Sequence, residues 1–144
     1  MTVLGSEGVA SRVPITEHSV GYIEYGFARR LGLKTPLLQN RDGAFVGPAP
    51  AAGAAALSIV AANMPPDGRQ LISDPAGTAA YPIVTYSWLL LLENDQSADL
   101  ADALRAFVGY GLSQNGQAQA AEIGYAPLPS AVVERAEALL GRMR

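Results

Sequence analysis

The longest strongly apolar stretch, residues 83–92, constrains the fold more than any other feature of the chain. Only Thr85, Tyr86 and Ser87 interrupt its apolar character. A helix that crosses a membrane needs about 20 consecutive apolar residues, so this stretch is too short for that role. The near-continuous apolarity of residues 81–92 instead predicts a strand that is buried on both faces, at the centre of a sheet covered by helices.

Length and composition limit the classes of protein that fit this chain. Its 144 residues are enough for one sizeable hydrophobic core. Hydrophobic residues make up 49% and charged residues 16%, which is typical of folded chains and not of disordered ones. The net charge of -3 gives no broad basic field, so a nucleic-acid partner is not expected. The lack of cysteine excludes disulfide bonds and thiolate chemistry.

The N-terminal residues MTVLGSEG do not have the pattern of a secretion signal. A basic start and an apolar core are both missing. We therefore expect a protein that stays in the cytoplasm or one whose leader has been removed.

Capping and turn residues predict the elements of the N-terminal part. Ser6 is predicted as the N-cap of a short helix over residues 9–13. Residues 20–25 alternate in polarity and are rich in β-branched and aromatic side chains, which predicts a strand. A helix is expected to follow over residues 26–31 and to end at Gly32.

A hairpin, a helix and a loop are predicted next. The Asp42-Gly43 pair lies between the apolar runs 37–40 and 44–46, a pattern typical of a β-turn. The alanine-rich residues 51–63 predict a helix by propensity. Proline, glycine and aspartate are concentrated in residues 65–80, which is typical of a loop or a crossing between domains.

Three helices are predicted in the C-terminal part. Ser97 is the expected N-cap of the first, residues 114–123 form the second until Gly124, and Ser130 is the expected N-cap of the last. Prolines between Gly124 and Ser130 predict a stiff helix-to-helix corner. The first of these helices has apolar residues at helical spacing, namely Leu100, Leu104, Phe107, Val108 and Leu112.

Three segments carry a family resemblance: VGYIEYGFARRLGL (20–33), AYPIVTYSWLLL (80–91) and GYAPLPSAVVERAEA (124–138). In order and spacing they resemble the C-terminal part of the phosphate-binding protein of bacterial phosphate ABC importers. The resemblance implies a type II periplasmic-binding-protein fold, in which two α/β lobes joined by crossing strands bind an anion in the cleft between them.

The fold class implied by this resemblance is α/β, as a partial periplasmic-binding-protein-like fold. Residues 1–73 would form the end of the second lobe and residues 74–80 the crossing between lobes. Residues 81–144 would supply the returning strand and the C-terminal helices of the first lobe. The boundary placed in residues 65–80 from composition agrees with this division.

The resemblance also implies a function, that of the phosphate receptor of an ABC transporter. Such a protein delivers its anion to a permease in the membrane, from the periplasm or cell surface, without a cofactor or enzymatic step. The family holds the anion with a Gly/Ser/Thr-rich helix start and an Arg-x-Asp/Glu-x-Ser-Gly-Thr-like loop, both upstream of the part that this chain resembles. No such motif occurs here, so no ligand-binding residue is transferred, and inorganic phosphate is expected to bind through the missing N-terminal part.

A second hypothesis is a scaffold or interaction protein that kept part of this fold and does not bind phosphate. Under either hypothesis, a buried strand that has lost its neighbours would leave a costly apolar edge exposed. We therefore expect a homo-oligomer or a complementary N-terminal chain.

A few residues are weaker candidates for a site. Gly5 and Ser6 could form an anion nest at a helix start, but Glu7 would repel an anion and an ordinary N-cap explains Ser6. His18 follows Glu17, yet no nucleophile accompanies it, so a solvated loop residue is expected rather than a general base or a metal ligand.

Two clusters in the sequence have structural explanations as well as functional ones. Arg29, Arg30 and Lys34 could meet an acidic partner, but cations near a helix C-terminus are also favoured by its dipole. Several aromatic residues could form a stacking platform, although strand positions with that spacing more often fill a core or a lobe interface. These residues are Tyr22, Tyr25, Tyr81, Tyr86 and Trp88.

Overall fold

The computed structural model describes residues 3–93 and 97–143. These residues form a mixed, mostly helical structure with one short antiparallel hairpin. The predicted lobe segments also include residues 1–2, 94–96 and 144, which lie outside the described residues. In chain order the elements are α1 (Gly5–Arg12), a 3₁₀ turn (Val13–Ile15), α2 (Tyr25–Arg30), β1 (Leu38–Gln39), β2 (Phe45–Val46), α3 (Pro50–Ala61), α4 (Ala98–Leu112), α5 (Gln114–Glu122) and α6 (Ser130–Leu140).

Helix α1 begins earlier than the sequence predicted. Leu4 occupies the N-cap position without a side-chain cap, so the assignment of Ser6 as N-cap was wrong. Ser6 lies in the first turn, where its hydroxyl accepts a hydrogen bond from the Glu24 N–H at 3.5 Å. Glu7 in the same turn places its negative charge near the positive end of the helix dipole, which stabilises the helix from this early start.

Helix α2 is present as predicted, but the strand before it is not. Residues 20–25 form no strand, and Val20 and Tyr22 are 90% and 94% exposed. A segment of alternating polarity becomes a stable strand only where it pairs with a neighbouring strand and packs its apolar face against a core. The helix ends at Gly32 as expected, with the Leu33 N–H bonded to the Ala28 carbonyl at 2.9 Å.

The hairpin is confirmed, with Leu38 paired to Val46 and Gln39 to Phe45. Gly43 adopts a φ of 81°, a conformation that glycine reaches without a steric penalty. Helix α3 is also confirmed; it starts at a proline and ends just before Asn63.

The long strand predicted over residues 81–92 was wrong. No strand forms there, and the segment is not buried on both faces. Tyr86 is 7% exposed, whereas Leu89 and Leu90 are 68% and 95% exposed. Within the described residues the only sheet is the hairpin, so this segment belongs to no sheet there.

The C-terminal helices follow the prediction closely. Ser97 caps α4 by accepting a hydrogen bond from the Leu100 N–H at 3.3 Å, and α4 packs against α5 and α6. Helix α6 begins at Ser130 itself, with Pro129 at the N-cap, so the assignment of Ser130 as N-cap was wrong by one position. No helix in the described parts of the chain is long and apolar enough to cross a membrane.

A small core joins α3, the 81–92 segment and α6. Leu57, Met64, Tyr86 and Val132 form its buried centre. The partly buried residues that surround this centre are Val60, Ala61, Ile72, Val84, Ala126 and Leu128.

Two of the three family-like segments contact each other directly. A Cβ atom on Gly124 would lie 2.7 Å from the Gly26 Cα, so only glycine permits this approach. Next to it, the Arg29 Nη1 donates to the Glu122 carbonyl at 3.2 Å. The start of α2 is thereby held against the end of α5.

Candidate functional site

The best-formed polar site lies where the hairpin meets the predicted crossing, and we call residues 38–46 together with 74–80 the junction. Asn40 is at its centre and is 4% exposed. Its Nδ2 donates to the carbonyls of Gly77 at 3.0 Å and Ala80 at 3.1 Å, and more weakly to Thr78 at 3.4 Å. Both ends of the Asn40 amide are thus used, because its Oδ1 accepts from the Asp42 N–H at 3.2 Å and another turn N–H.

Two aspartates tie the same segments together in opposite directions. The Arg41 N–H donates to Asp74 Oδ1 at 3.1 Å, and the Gly77 N–H donates to Asp42 Oδ2. Asp74 has a φ of 39°, an uncommon conformation for a residue with a side chain. The loop of the crossing is therefore held against the hairpin turn by backbone-to-side-chain hydrogen bonds from both sides.

An open groove of about 470 Å³ lies beside the junction. Its polar groups are the Gln39 amide, the Ser73 hydroxyl and the Asp74 carboxylate, and no cation lines it. A carboxylate without a neighbouring cation repels an oxyanion. The groove therefore suits neutral or apolar groups better than phosphate. The rest of its lining is Leu38, Ile72, Pro82, Ile83 and Val84.

The helix-start candidates Gly5 and Ser6 lie in the first turn of α1. Gly5 has a φ of 64°, and the Ser6 hydroxyl is directed to the Glu24 N–H. Glu7 adds a negative charge to the same turn. A role for Gly5 and Ser6 in ligand binding stays a prediction.

His18 and the basic residues lie apart from the junction. His18 is exposed in the loop after the 3₁₀ turn, with a φ of 58°. Arg29 is engaged by the Glu122 carbonyl, and the Arg30 guanidinium lies 4.6 Å from the centre of the Phe27 ring. Within residues 3–93 and 97–143, no group of three potential metal ligands comes together.

The aromatic residues are not gathered into one platform. Tyr22 is almost fully exposed, whereas the Tyr86 and Trp88 rings meet edge-on at 6.3 Å. Trp88 also donates its Nε1–H to the Gly68 carbonyl at 3.0 Å. Burial raises the pKa of Tyr86 and of Tyr81, because the charged phenolate loses hydration.

Sequence reasoning did not find the junction. An Asn-x-Asp-Gly turn indicates that Asn40 bonds its own turn. It does not reveal that the same amide reaches residues 77–80, because that contact depends on tertiary packing. Asp74 carried no signal beyond its place in a loop-like composition.

Comparison with known proteins identifies the relatives of this chain. No protein-family model matches it. A phosphate-binding protein PstS from Xylella fastidiosa is 34% identical over 93% of the chain, and one from Haemophilus influenzae is 33% identical over 90%. A third, from Methanocaldococcus jannaschii, is 32% identical over 90% of the chain. The chain is similar to PstS.

The family resemblance inferred from the three segments is thereby confirmed for the C-terminal part of phosphate-binding proteins. The chain spans only 36–38% of the length of these three PstS relatives. The mixed helical structure with one hairpin is compatible with a partial periplasmic-binding-protein fold.

Proposed function

We propose that this chain is the C-terminal part of a PstS-like phosphate receptor, the solute-binding component of a bacterial ABC transporter. The groups that hold the anion belong, in this proposal, to polypeptide outside the segment. The similarity to several PstS proteins over nine-tenths or more of the chain carries the proposal. These relatives are named as phosphate-binding proteins, which favours binding over catalysis.

The chemistry of the described residues supports assigning the anion groups elsewhere. An oxyanion site needs convergent backbone N–H groups, hydroxyls and an arginine. Arg29 and Arg30 are already engaged, by a carbonyl and by an aromatic ring. The groove beside the junction presents the Asp74 carboxylate instead of a cation.

In this proposal the segment contributes scaffold to a receptor that works by closure of two lobes. Residues 1–73 complete one lobe, residues 74–80 cross between lobes, and residues 81–144 return to the other. The closed receptor acts at the periplasmic side or cell surface and delivers phosphate to the membrane permease.

The test is isothermal titration of the purified 144-residue chain with phosphate, sulfate and arsenate. We expect no binding heat with any of the three anions. Heat that corresponds to an affinity in the micromolar range or tighter would contradict the assignment of the anion groups to other polypeptide. The Ser6→Ala variant would then show whether the helix start supplies the site, because it removes the one hydroxyl of that turn.

A scaffold protein without phosphate binding is the second candidate, and the carboxylate in the groove is the observation that favours it. Both candidates predict a silent titration of the chain alone. They differ when the rest of a PstS polypeptide is added, because only the receptor then binds phosphate.

A further inference from the structure

The groove beside the junction has the size and the apolar wall of a small-molecule site. Its volume of about 470 Å³ lies within the range of roughly 300–1,000 Å³ that is typical of such sites. Ile72 before the crossing, Ile83 and Val84 after it, and Leu38 of the hairpin supply apolar side chains to the lining. A short hydrocarbon chain that lies against this wall is removed from water, which favours binding.

The polar part of the lining offers hydrogen-bond acceptors. Asp74 uses its Oδ1 to accept the Arg41 N–H, and its Oδ2 has no hydrogen-bond partner among the residues that the structure describes. Gln39 donates its Nε2 to the Gly43 carbonyl at 3.2 Å, which leaves the Oε1 of the same amide as an acceptor. The Ser73 hydroxyl oxygen lines the groove as well. The groove therefore combines one negative charge with two neutral acceptor oxygens.

An alkylammonium ion matches both parts of this lining. A primary ammonium group carries three N–H donors and no acceptor, so it complements a carboxylate, an amide oxygen and a hydroxyl oxygen. Hydrogen bonds from a cation to a carboxylate are stronger than those between neutral groups. An alcohol of the same length brings one donor and no charge, and an anion is repelled by the Asp74 carboxylate. The charge and the number of acceptors thus favour a cation.

The Asp74 carboxylate is held in place before any ligand binds. Its backbone φ of 39° is uncommon for a residue with a side chain, and the hydrogen bond from the Arg41 N–H fixes the carboxylate from the hairpin side. Pro75, the next residue, is buried and limits the backbone further. A group that is already fixed loses little conformational freedom on binding, which favours affinity.

We propose that the groove is a binding site for small aliphatic ammonium ions, with Asp74 as the counter-ion and Gln39 and Ser73 as further acceptors. The occupant is a free small molecule, because the volume of the groove is that of a small-molecule site. This inference goes beyond the proposed function, since phosphate binding does not require a cation in this groove.

An NMR titration of the isotope-labelled chain with n-pentylammonium chloride tests the site. We expect saturable shifts of the backbone amide signals of Gln39, Ser73, Asp74 and Ile83. n-Pentanol, which has the same chain without the charge, should bind at least about 5-fold more weakly, and pentanoate should leave these signals unchanged. Equal affinities for the ammonium ion and the alcohol, or shifts that do not saturate, would overturn the proposal.

Asp74→Asn separates the charge from the shape of the groove. Asparagine keeps an oxygen for the Arg41 N–H and tolerates a positive φ, so the turn is retained. We expect the affinity for pentylammonium to fall at least about 5-fold and the affinity for pentanol to stay unchanged. Asp99→Asn makes the same change at an exposed position of α4 and is the matched control. Undiminished pentylammonium binding by Asp74→Asn would show that the carboxylate is not the counter-ion.

Ile83→Ala tests the apolar wall. Ile83 is 70% exposed, so the fold should tolerate its truncation. We expect this variant to weaken the binding of pentylammonium and of pentanol by about 3-fold each, because both lose the same apolar contact. Ile15→Ala, at a position 72% exposed in the 3₁₀ turn, is the control and should leave both affinities unchanged. If Ile83→Ala has no more effect than Ile15→Ala, the ligand does not lie in the groove and the proposal is wrong.

Discussion

The junction and residues 82–91, which follow its crossing in sequence, differ in how completely their backbone polar groups are satisfied. At the junction, one buried amide and two carboxylates bind four backbone N–H or C=O groups across the hairpin and the crossing at 3.2 Å or less, in addition to the bonds within Asn40's own turn. Residues 82–91 make no backbone-to-backbone hydrogen bond among the described residues, and Ile83, Leu89 and Leu90 are exposed.

This difference separates backbone groups whose hydrogen-bond partners lie within the chain from groups that still need partners. The hydrogen-bond partners at the junction are at most about 40 positions apart in sequence, so this chain contains every one of them. A strand needs a ladder on at least one edge, and the described residues offer none to residues 82–91. We therefore expect large mutational effects at the junction and small ones at the exposed side chains of residues 82–91.

The largest effect is expected from Asn40→Ala. The variant leaves buried carbonyls of the crossing and N–H groups of the turn without partners, which should lower the free energy of unfolding by about 3 kcal/mol. Urea denaturation followed by the fluorescence of Trp88, the single tryptophan, measures the change.

Asn115→Ala is the matched control, because it makes the same change at an exposed position of α5. Its effect should stay within about 0.5 kcal/mol. Equal effects of the two variants would show that the junction is not a source of stability.

A smaller effect of opposite sign is expected from Tyr86→Phe. The Tyr86 hydroxyl is the one buried side-chain polar atom without a hydrogen-bond partner in residues 3–93 and 97–143. Removing it should raise the free energy of unfolding by about 1 kcal/mol, since the cost of its desolvation disappears. A loss of stability in the same urea experiment would reveal that the hydroxyl has a partner in solution.

Leu90→Glu should leave the isolated chain almost unchanged, within about 0.5 kcal/mol, because Leu90 is 95% exposed. The same variant should weaken co-purification of the complementary PstS part, where we expect the exposed leucine to be covered. Leu4→Glu, at a position 89% exposed outside residues 82–91, is the control and should affect neither measurement. Strong destabilisation of the isolated chain by Leu90→Glu would mean that Leu90 is already packed.

The smallest effect concerns the exposed ion pair of Asp67 and Arg69, whose nitrogen and oxygen are 2.8 Å apart. A hydrogen bond from the Arg69 backbone N–H, and next one from the Arg69 side chain, lower the pKa of the Asp67 carboxyl; Arg69→Ala removes only the second. Its slight stabilisation is therefore present above the usual aspartate pKa and lost as pH falls through the lowered value. An NMR titration should show the pKa rise in Arg69→Ala, and high salt should reduce the difference. An unchanged pKa in that variant would refute the pairing.

Local signals predicted much of the fold. The Asp42-Gly43 turn, the Ser97 cap and the end of α2 at Gly32 depend on groups within a few residues, and all three are confirmed. The strands predicted at 20–25 and 81–92 are not, because a strand forms only with a partner that the local sequence does not describe.

The candidate site was harder to predict than the elements around it. Composition placed a boundary in residues 65–80, but the clamp of Asn40 on residues 77–80 comes from tertiary packing. The relation to PstS was visible in three short segments, two of which meet where Gly26 packs against Gly124. Their combination carried information that no single segment contained.

Phosphate titration of the complex between this chain and the complementary part of a PstS relative tests the central claim most directly. We predict heat that corresponds to specific phosphate binding by the complex, and none from either part alone. A well-formed complex that gives no heat with phosphate would contradict the claim that this chain is part of a phosphate receptor.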